Sequence, residues 1–141
     1  MRPLHFDDAL RAEITQNLAR RGAAPLQGRG LKRAAVCVIL TDGGEGGAAL
    51  VLTLRAKHLS AHSGQFALPG GRADAGESAV DAALREAHEE IGLELTPNAV
   101  LGWLDDYPTR SGYVITPIVV WAPNDAAMSA NPAEVAEIYR V

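Results

Sequence analysis

The sequence predicts an α+β fold in which helices cover a mixed β-sheet. Three observations support this. A segment with helical spacing covers about 6–21, two apolar runs of strand length cover 34–41 and 48–55, and a second helical segment at 78–91 is followed by two further apolar runs. A chain of 141 residues is long enough for one hydrophobic core, so we predict a single domain over 1–141.

The first half of the chain is predicted to form a helix and then a β-hairpin. Leu10, Ile14 and Leu18 recur every four residues, and the "DD" before them suits the start of a helix. A Gly/Pro-rich link follows the helix. The apolar runs "AAVCVILT" and "AALVLTLR" are separated by "DGGEGG", a sequence typical of a hairpin loop.

The second half is predicted to contain one helix and at least two strands. The helix runs from Ser78 to Ile91, with Ser78 or Glu77 near its start and Gly92 as its stop. Its apolar face is predicted to consist of Val80, Ala83, Leu84, Ala87 and Ile91. A short extended piece is expected at 65–68, and further strands at 99–107 and 113–122.

The C-terminal part reads as a polar loop followed by the start of a helix or a strand. The last residues, "EIYRV", resemble the middle of an element. We therefore expect a further C-terminal segment.

The composition argues against several classes of protein. A net charge of −4 disfavours a broad nucleic-acid-binding face. The single cysteine, Cys37, cannot form an internal disulfide and is expected to be a small buried core residue. No apolar run reaches the roughly 18 residues of a membrane span, and the N-terminus lacks the apolar core of a signal peptide. We therefore predict a cytoplasmic protein with neither a membrane nor a nucleic acid as partner.

The helix at 78–91 carries an unfavourable charge pattern in "REAHEEIG". Glu86, Glu89 and Glu90 are spaced three and four residues apart, so they project toward one side near the helix C-terminus. Like charges at this spacing destabilise a helix, and the negative end of the helix dipole adds to the cost. Several unfavourable charge placements in one short segment are expected where the segment forms a functional site.

A hard divalent cation would compensate such a cluster. Mg²⁺ takes oxygen ligands and is commonly held by a few carboxylates together with substrate phosphates. Arg85, four residues before Glu89, could brace a carboxylate without occupying the metal position. Gly70 and Gly71 precede the helix and would allow the backbone to approach a metal or a phosphate closely.

The spacing from Gly71 to Leu93 resembles the Nudix box, G-x5-E-x7-R-E-U-x-E-E-x-G-U, in which U is a bulky aliphatic residue. Every fixed position matches, and Ala87 departs at one U position. Resemblance to Nudix hydrolases implies an α/β/α sandwich and the hydrolysis of a nucleoside diphosphate linked to another group, with Mg²⁺ or Mn²⁺ as cofactor.

The resemblance also implies roles for individual residues. Metal ligands would be Glu86, Glu89, Glu90 and the backbone carbonyl of Gly71. Catalytic residues would be Glu89, Glu90, Arg85 and Glu77, of which Arg85 and Glu77 would hold the ligand carboxylates in place. One glutamate would serve as general base, either in this run or elsewhere in the chain. Glu134 lies where some Nudix enzymes place a further glutamate, although an exposed glutamate at the start of a helix is an equal alternative.

The segment before the box resembles the additional motif of the coenzyme A pyrophosphatase subfamily. The matching residues are Leu52, Thr53, Arg55, Gly64, Pro69, Gly70 and Gly71. Ser60 stands where that motif has a basic residue, and Lys57, His58, His62 or Arg110 could supply the positive charge instead.

The segment after the box, "LDDYPTRSGYVITPIV", is also similar to that subfamily. Arg55, Gly70, Arg110 and Tyr107 are the predicted substrate-binding residues. The implied substrate is coenzyme A or its thioesters, giving 3′,5′-ADP and 4′-phosphopantetheine.

The sequence is also compatible with other functions. ADP-ribose, a dinucleotide polyphosphate or an oxidised nucleoside triphosphate would need the same chemistry. A non-catalytic nucleotide sensor is a different class, and the retained box glutamates argue against it. RNA decapping would predict a basic surface, which a net charge of −4 does not indicate. The N-terminal helix would cover the sheet or contribute to a homodimer.

Overall fold

The computed structural model describes residues 4–22, 32–59, 63–123 and 125–141. Two helices, α1 (Asp8–Arg21) and α2 (Ala79–Ile91), lie on a mixed β-sheet. The sheet contains β1 (Lys32–Asp42), β2 (Ala48–Arg55), β3 (Phe66–Ala67), β4 (Gly70–Arg72), β5 (Val100–Trp103), β6 (Tyr107–Pro108), β7 (Tyr113–Trp121) and β8 (Val135–Arg140). A single 3₁₀ turn, Pro97–Ala99, precedes β5.

The sheet opens at the point where β1 and β2 separate. These strands pair at one end, from Leu40↔Leu50 to Asp42↔Ala48. Further along, β2 pairs with β3 and β8, whereas β1 pairs with β4. On its other side β1 runs parallel to β7, and β7 is antiparallel to β5 and β6. The divergence leaves β3 on one branch of the sheet and β4 on the other.

The two faces of the sheet have separate cores. Alternate residues of β1, namely Ala35, Cys37 and Ile39, are buried beneath α2. Val38 and Leu40, which alternate with these residues along β1, pack on the opposite face with the α1 side. Helices on both faces of a mixed sheet confirm the predicted fold class.

Most of the predicted elements are present. β2 covers the predicted run 48–55, and α1 begins two residues later than predicted because Asp7 caps it through a bond from the Leu10 N–H. Ser78 is the N-cap of α2, and Gly92 ends it in the left-handed conformation. Cys37 is buried, as expected, and burial raises the pKa of its thiol to about 12.

Two regions differ from the prediction, and in a third the structure decides between two predicted alternatives. The predicted strand 99–107 is wrong in its middle, because β5 ends at Trp103 and Asp106 turns inward to accept a hydrogen bond from Thr116. The short strand β4 was not predicted, since "GGR" has no strand pattern. The C-terminal element is a strand, β8, rather than a helix.

The predicted link after α1 lies outside the described residues, as do Ser60 and His62. Within the described parts of the chain, no helix has the length and apolar character needed to cross a membrane.

Candidate metal and catalytic site

Three carboxylates, two from α2 and one from the segment before β8, converge beside β4. Glu86 and Glu90 lie one turn apart on α2, and Glu134 lies just before β8. One carboxylate oxygen from each lies within 4.8 Å of those from the other two. We refer to Glu86, Glu90 and Glu134 as the carboxylate cluster. The cluster joins a local motif on α2 to a residue more than forty positions later in the chain.

The backbone of β4 fixes the two helical members of the cluster. The Gly70 N–H donates to Glu90 Oε2 at 2.8 Å. A side chain at Gly71 would place its Cβ 2.7 Å from the Glu86 carboxyl carbon, and one at Gly70 would place its Cβ 2.4 Å from the Ala35 carbonyl oxygen. Close approach to the backbone therefore requires a glycine at position 70, whereas a side chain at position 71 would push the Glu86 carboxylate out of the cluster.

Burial makes the cluster electrostatically unfavourable without a cation. The side chain of Glu90 is only 5% exposed. Burial, together with the charges of Glu86 and Glu134, raises the pKa of Glu90 to about 8, although the Gly70 N–H and Arg55 act in the opposite direction. Burial also raises the pKa of Glu86. A group that neutralises the cluster would remove this cost.

Glu134 supplies an independent sign that a cation fits here. Its Oε2 atom is buried and accepts no hydrogen bond from any described residue. Buried polar atoms almost always have a partner, so an unpaired carboxylate oxygen beside two other carboxylates needs an explanation. Three oxygen donors at this separation suit Mg²⁺ or Mn²⁺, which prefer carboxylate, carbonyl and water ligands. The donor set therefore fits a divalent cation.

Arg85 braces the cluster from the side. Its Nε and Nη2 donate to the two carboxylate oxygens of Glu77, each at 2.9 Å. Its Nη1 donates to Glu86 Oε1 at 2.9 Å, and its Nη2 also donates to the Arg72 carbonyl at 2.9 Å. Arg85 thereby links α2 to β4 and to the loop before the helix.

Glu77 is held firmly as the partner of Arg85. It also accepts a hydrogen bond from the Asp74 N–H at 2.9 Å. These hydrogen bonds, with that from Arg85 the strongest, lower the pKa of Glu77 to about 2. Glu77 thus remains ionised, which suits a bracing residue and does not suit a proton carrier at neutral pH.

Glu89 lies outside the carboxylate cluster. Its side chain is 47% exposed, and its Oε2 accepts from Arg85 Nη1 at 3.2 Å. Its backbone carbonyl accepts from the Asn131 side chain at 3.1 Å, which ties α2 to the segment that carries Glu134. The structure therefore places Glu89 next to the cluster, on its solvent side.

The predicted substrate-binding residues lie in two places. Arg55 is close enough to the cluster for its charge to lower the pKa of Glu90. Tyr107 is exposed on β6. Arg110 is exposed in a turn that is closed by a hydrogen bond from the Thr109 N–H to the Tyr113 carbonyl. Tyr107 pairs with Ile115, so it lies on the face of the sheet away from α2.

The sequence alone does not decide the role of Glu134, and it predicts no role for Arg72, the residue after the glycine pair. Glu134 lies outside the box, and only the pairing of β2 with β8 brings it to the cluster. The Ala56 N–H donates to the Glu134 carbonyl at 2.9 Å, which fixes that approach. No local pattern in "NPAEVAE" reports this contact.

Comparison with known proteins finds a family match over most of the chain. Residues 31–140 match the model of the NUDIX domain family. The chain is 44% identical over 93 residues to the uncharacterized Nudix hydrolase NudL of Photorhabdus laumondii, covering 65% of this chain and 50% of that protein. The NudL protein of Yersinia enterocolitica is 41% identical, with 65% and 48% covered. The chain thus spans about half the length of these curated relatives.

A solved structure shows the same architecture. The Nudix hydrolase RenU of M. smegmatis superposes with a TM-score of 0.61 at 28% identity, covering 82% of this chain and 73% of that one.

Proposed function

Because the chain belongs to the NUDIX domain family, we propose that it hydrolyses the diphosphate linkage of a nucleoside diphosphate joined to a second group, and that its substrate is coenzyme A or a thioester of it. The observation that carries the hydrolytic part is the convergence of Glu86, Glu90 and Glu134 around an unpaired, buried carboxylate oxygen. The subfamily motif around Arg55 supports the choice of substrate.

The reaction adds water across a P–O–P linkage. The water oxygen forms a bond to one phosphorus, and the bridging oxygen leaves with the other phosphate, while a base accepts a proton from the water. A divalent cation, Mg²⁺ or Mn²⁺, would neutralise the phosphate oxygens and activate the attacking water. Glu86, Glu90 and Glu134 would hold it, and the Gly71 carbonyl remains a predicted further ligand.

The residues around the cluster divide the remaining work. Arg85 and Glu77 keep Glu86 in place, as their hydrogen bonds indicate. Arg55, beside Glu90, is suited to bind a diphosphate oxygen. Glu89 and Glu90 are the candidates for the base. The exposure of Glu89 and its place outside the cluster favour Glu89, since it can face a water molecule without giving up a ligand role.

The assignment of the base has a direct test. Glu89→Gln should lower kcat and leave the dissociation constant of Mn²⁺, measured by electron paramagnetic resonance, unchanged. Glu90→Gln should weaken Mn²⁺ binding as well as activity. The reverse pattern would make Glu90 the base and Glu89 a ligand.

The substrate is tested by chromatography of the products. The protein is incubated with coenzyme A and Mg²⁺ or Mn²⁺, with Glu86→Gln as the inactive control and ADP-ribose in a parallel reaction. Formation of 3′,5′-ADP by the wild type alone would support the proposal. Cleavage of ADP-ribose without cleavage of coenzyme A would retain the hydrolytic chemistry and reject this substrate. Binding without cleavage of any nucleotide would favour the sensor alternative. A cytoplasmic location and a homodimer remain predictions of the sequence.

A further inference from the structure

Among the described residues, no helix packs on the face of the sheet opposite α2 at the start of β1. Val38 and Leu40, further along the strand, pack with the α1 side, together with Trp121 of β7. Lys32, Ala34 and Val36 share their face by strand alternation but are not among the residues that pack there. Ala34 and Val36 are only half-buried, so this end of the face presents apolar surface to solvent.

Strand register gathers cations and an aromatic ring around this surface. Arg72 pairs with Ala34, and Lys32 pairs with Tyr113, so all four side chains lie on one face. The Arg72 guanidinium carbon is 5.2 Å from the centre of the Tyr113 ring, and Lys32 Nζ is 6.0 Å from it. We call Lys32, Arg72 and Tyr113 the cationic patch.

The patch carries positive charge without a matching carboxylate. Arg21, Arg33 and Arg85 each form an ion pair. Across the described ranges, neither Lys32 nor Arg72 has a carboxylate oxygen within 4.0 Å. In a chain whose net charge is −4, two neighbouring cations held against one ring and lacking an acidic partner indicate an anionic ligand.

The patch is adjacent to the carboxylate cluster through β4. Arg72 directly follows Gly71, where an added Cβ would meet the Glu86 carboxylate, and the Arg72 carbonyl accepts from Arg85. Among the described strands, β4 pairs with β1 alone, so its other edge is not covered by any of these strands. One extended ligand can therefore pass over this edge, with one part at the cluster and another at the patch.

We propose that Lys32 and Arg72, held against Tyr113, bind a phosphate monoester of the substrate that is distinct from the diphosphate at the carboxylate cluster. This rests on the proposed hydrolysis of a nucleotide derivative and specifies its class, a nucleotide that carries an additional phosphate on its ribose. The apolar surface of Ala34 and Val36 would lie beneath the nucleoside. The patch thereby provides the positive charge that Ser60 cannot provide at the motif position.

The experiment compares ligands that differ only in the extra phosphate. Dissociation constants of 3′,5′-ADP and 5′-AMP are measured by calorimetry without metal, for the wild type and for the double variant Lys32→Ala/Arg72→Ala. We expect the wild type to bind 3′,5′-ADP at least tenfold more tightly, and the double variant to bind both ligands alike. Added salt should reduce the wild-type preference, because the contact is between charges near the surface.

Two control variants separate this role from structural damage. Arg20→Ala removes an exposed cation from α1 and should keep the full preference. Arg72→Lys in the presence of Lys32 keeps the charge and should retain most of it. An unchanged preference in the double variant, or none in the wild type, would overturn the proposal.

Kinetics provide a second readout. The kcat/KM ratio of coenzyme A to dephospho-coenzyme A should fall toward one in the double variant, through KM and not kcat. If neither compound is cleaved, the proposed function fails, and the binding comparison still decides whether the patch recognises the extra phosphate.

Discussion

The two α-helices in the described part of the chain have opposite charge patterns. α1 begins with Asp7 as its N-cap and Asp8 in its first turn, and it ends with Arg20 and Arg21. This arrangement complements the helix dipole at both ends. α2 also begins well, with Ser78 as its cap, but its C-terminal half carries three glutamates, and His88 is the one basic residue in its last turn.

The two charge patterns affect the stability of the protein in opposite directions. The charges at the ends of α1 stabilise the fold. Each interaction with the helix dipole contributes about 0.3–1 kcal/mol to the free energy of unfolding. Charges on α2 oppose folding and are kept in place by Arg85, by Gly70 and by the segment carrying Glu134. Four predictions test this difference: three concern the carboxylate cluster, and one concerns the N-cap of α1.

The largest effect is expected when a cluster carboxylate is neutralised. Glu86→Gln should lower kcat by about 10²-fold or more, the magnitude seen when a group that stabilises transition-state charge is removed. Without metal, the free energy of unfolding should stay the same or rise, since a repulsion at i,i+4 is relieved. Steady-state kinetics and urea unfolding measure the two quantities. Glu13→Gln on the exposed face of α1 is the matched control and should leave kcat unchanged.

Metal affinity should depend on Glu134 although it lies outside the helix. Glu134→Gln should weaken Mn²⁺ binding by more than about tenfold, the lower limit for losing even an outer-shell partner of a metal. Mn²⁺ titration followed by electron paramagnetic resonance measures this. Glu137→Gln, exposed on β8, should have no effect. Equal affinities in the two variants would remove Glu134 from the site.

The cluster should also give the metal-free protein an unusual pH dependence. Glu90 has its folded pKa raised to about 8, so between 4.5, the ordinary pKa of a glutamate, and about 8 the folded state binds a proton that the unfolded state has lost. Stability from this group is therefore present at low pH and falls as the pH rises, by up to about 1.4 kcal/mol per pH unit. Urea unfolding between pH 5 and pH 8 measures this slope.

Glu90→Gln supplies the control for the pH dependence. The variant cannot ionise at this position, so its stability should vary less steeply with pH. If wild type and variant had parallel profiles, Glu90 would titrate normally in the folded protein, and the account of its burial would be wrong.

The smallest effect is expected on α1. Asp7→Ala removes the N-cap bond to the Leu10 N–H and should cost about 1 kcal/mol of stability, the usual value for such a cap. kcat and Mn²⁺ affinity should not change. Thermal unfolding and kinetics together test this separation, which a change in kcat at constant stability would contradict.

Much of this organisation could be predicted from local sequence. The periodicity of 78–91, the cap at Ser78 and the stop at Gly92 depend on neighbouring residues, and the structure confirms all three. The unfavourable glutamates on α2 also identified the region of the site, because the cost to an isolated helix can be calculated without the fold.

The rest depends on contacts between distant segments. Glu134 joins the cluster through the pairing of β2 with β8, and Lys32 meets Arg72 and Tyr113 through the registers of β1 with β4 and β7. Strand pairing of this kind is set by the whole sheet, so a single sequence gives little information about it. The strand β4 could not be predicted for the same reason. Its three residues form a strand because they pair with β1.

The hydrogen bond from the Gly70 amide to Glu90 makes the Gly70 amide proton an NMR reporter of the carboxylate cluster. The strength of this hydrogen bond depends on whether its acceptor is ionised, neutral or shared with a cation. The resonance of the Gly70 amide proton should therefore move once as Glu90 titrates and again as Mg²⁺ is added. A single labelled glycine would thus record proton occupancy and ion occupancy without a substrate or an added probe.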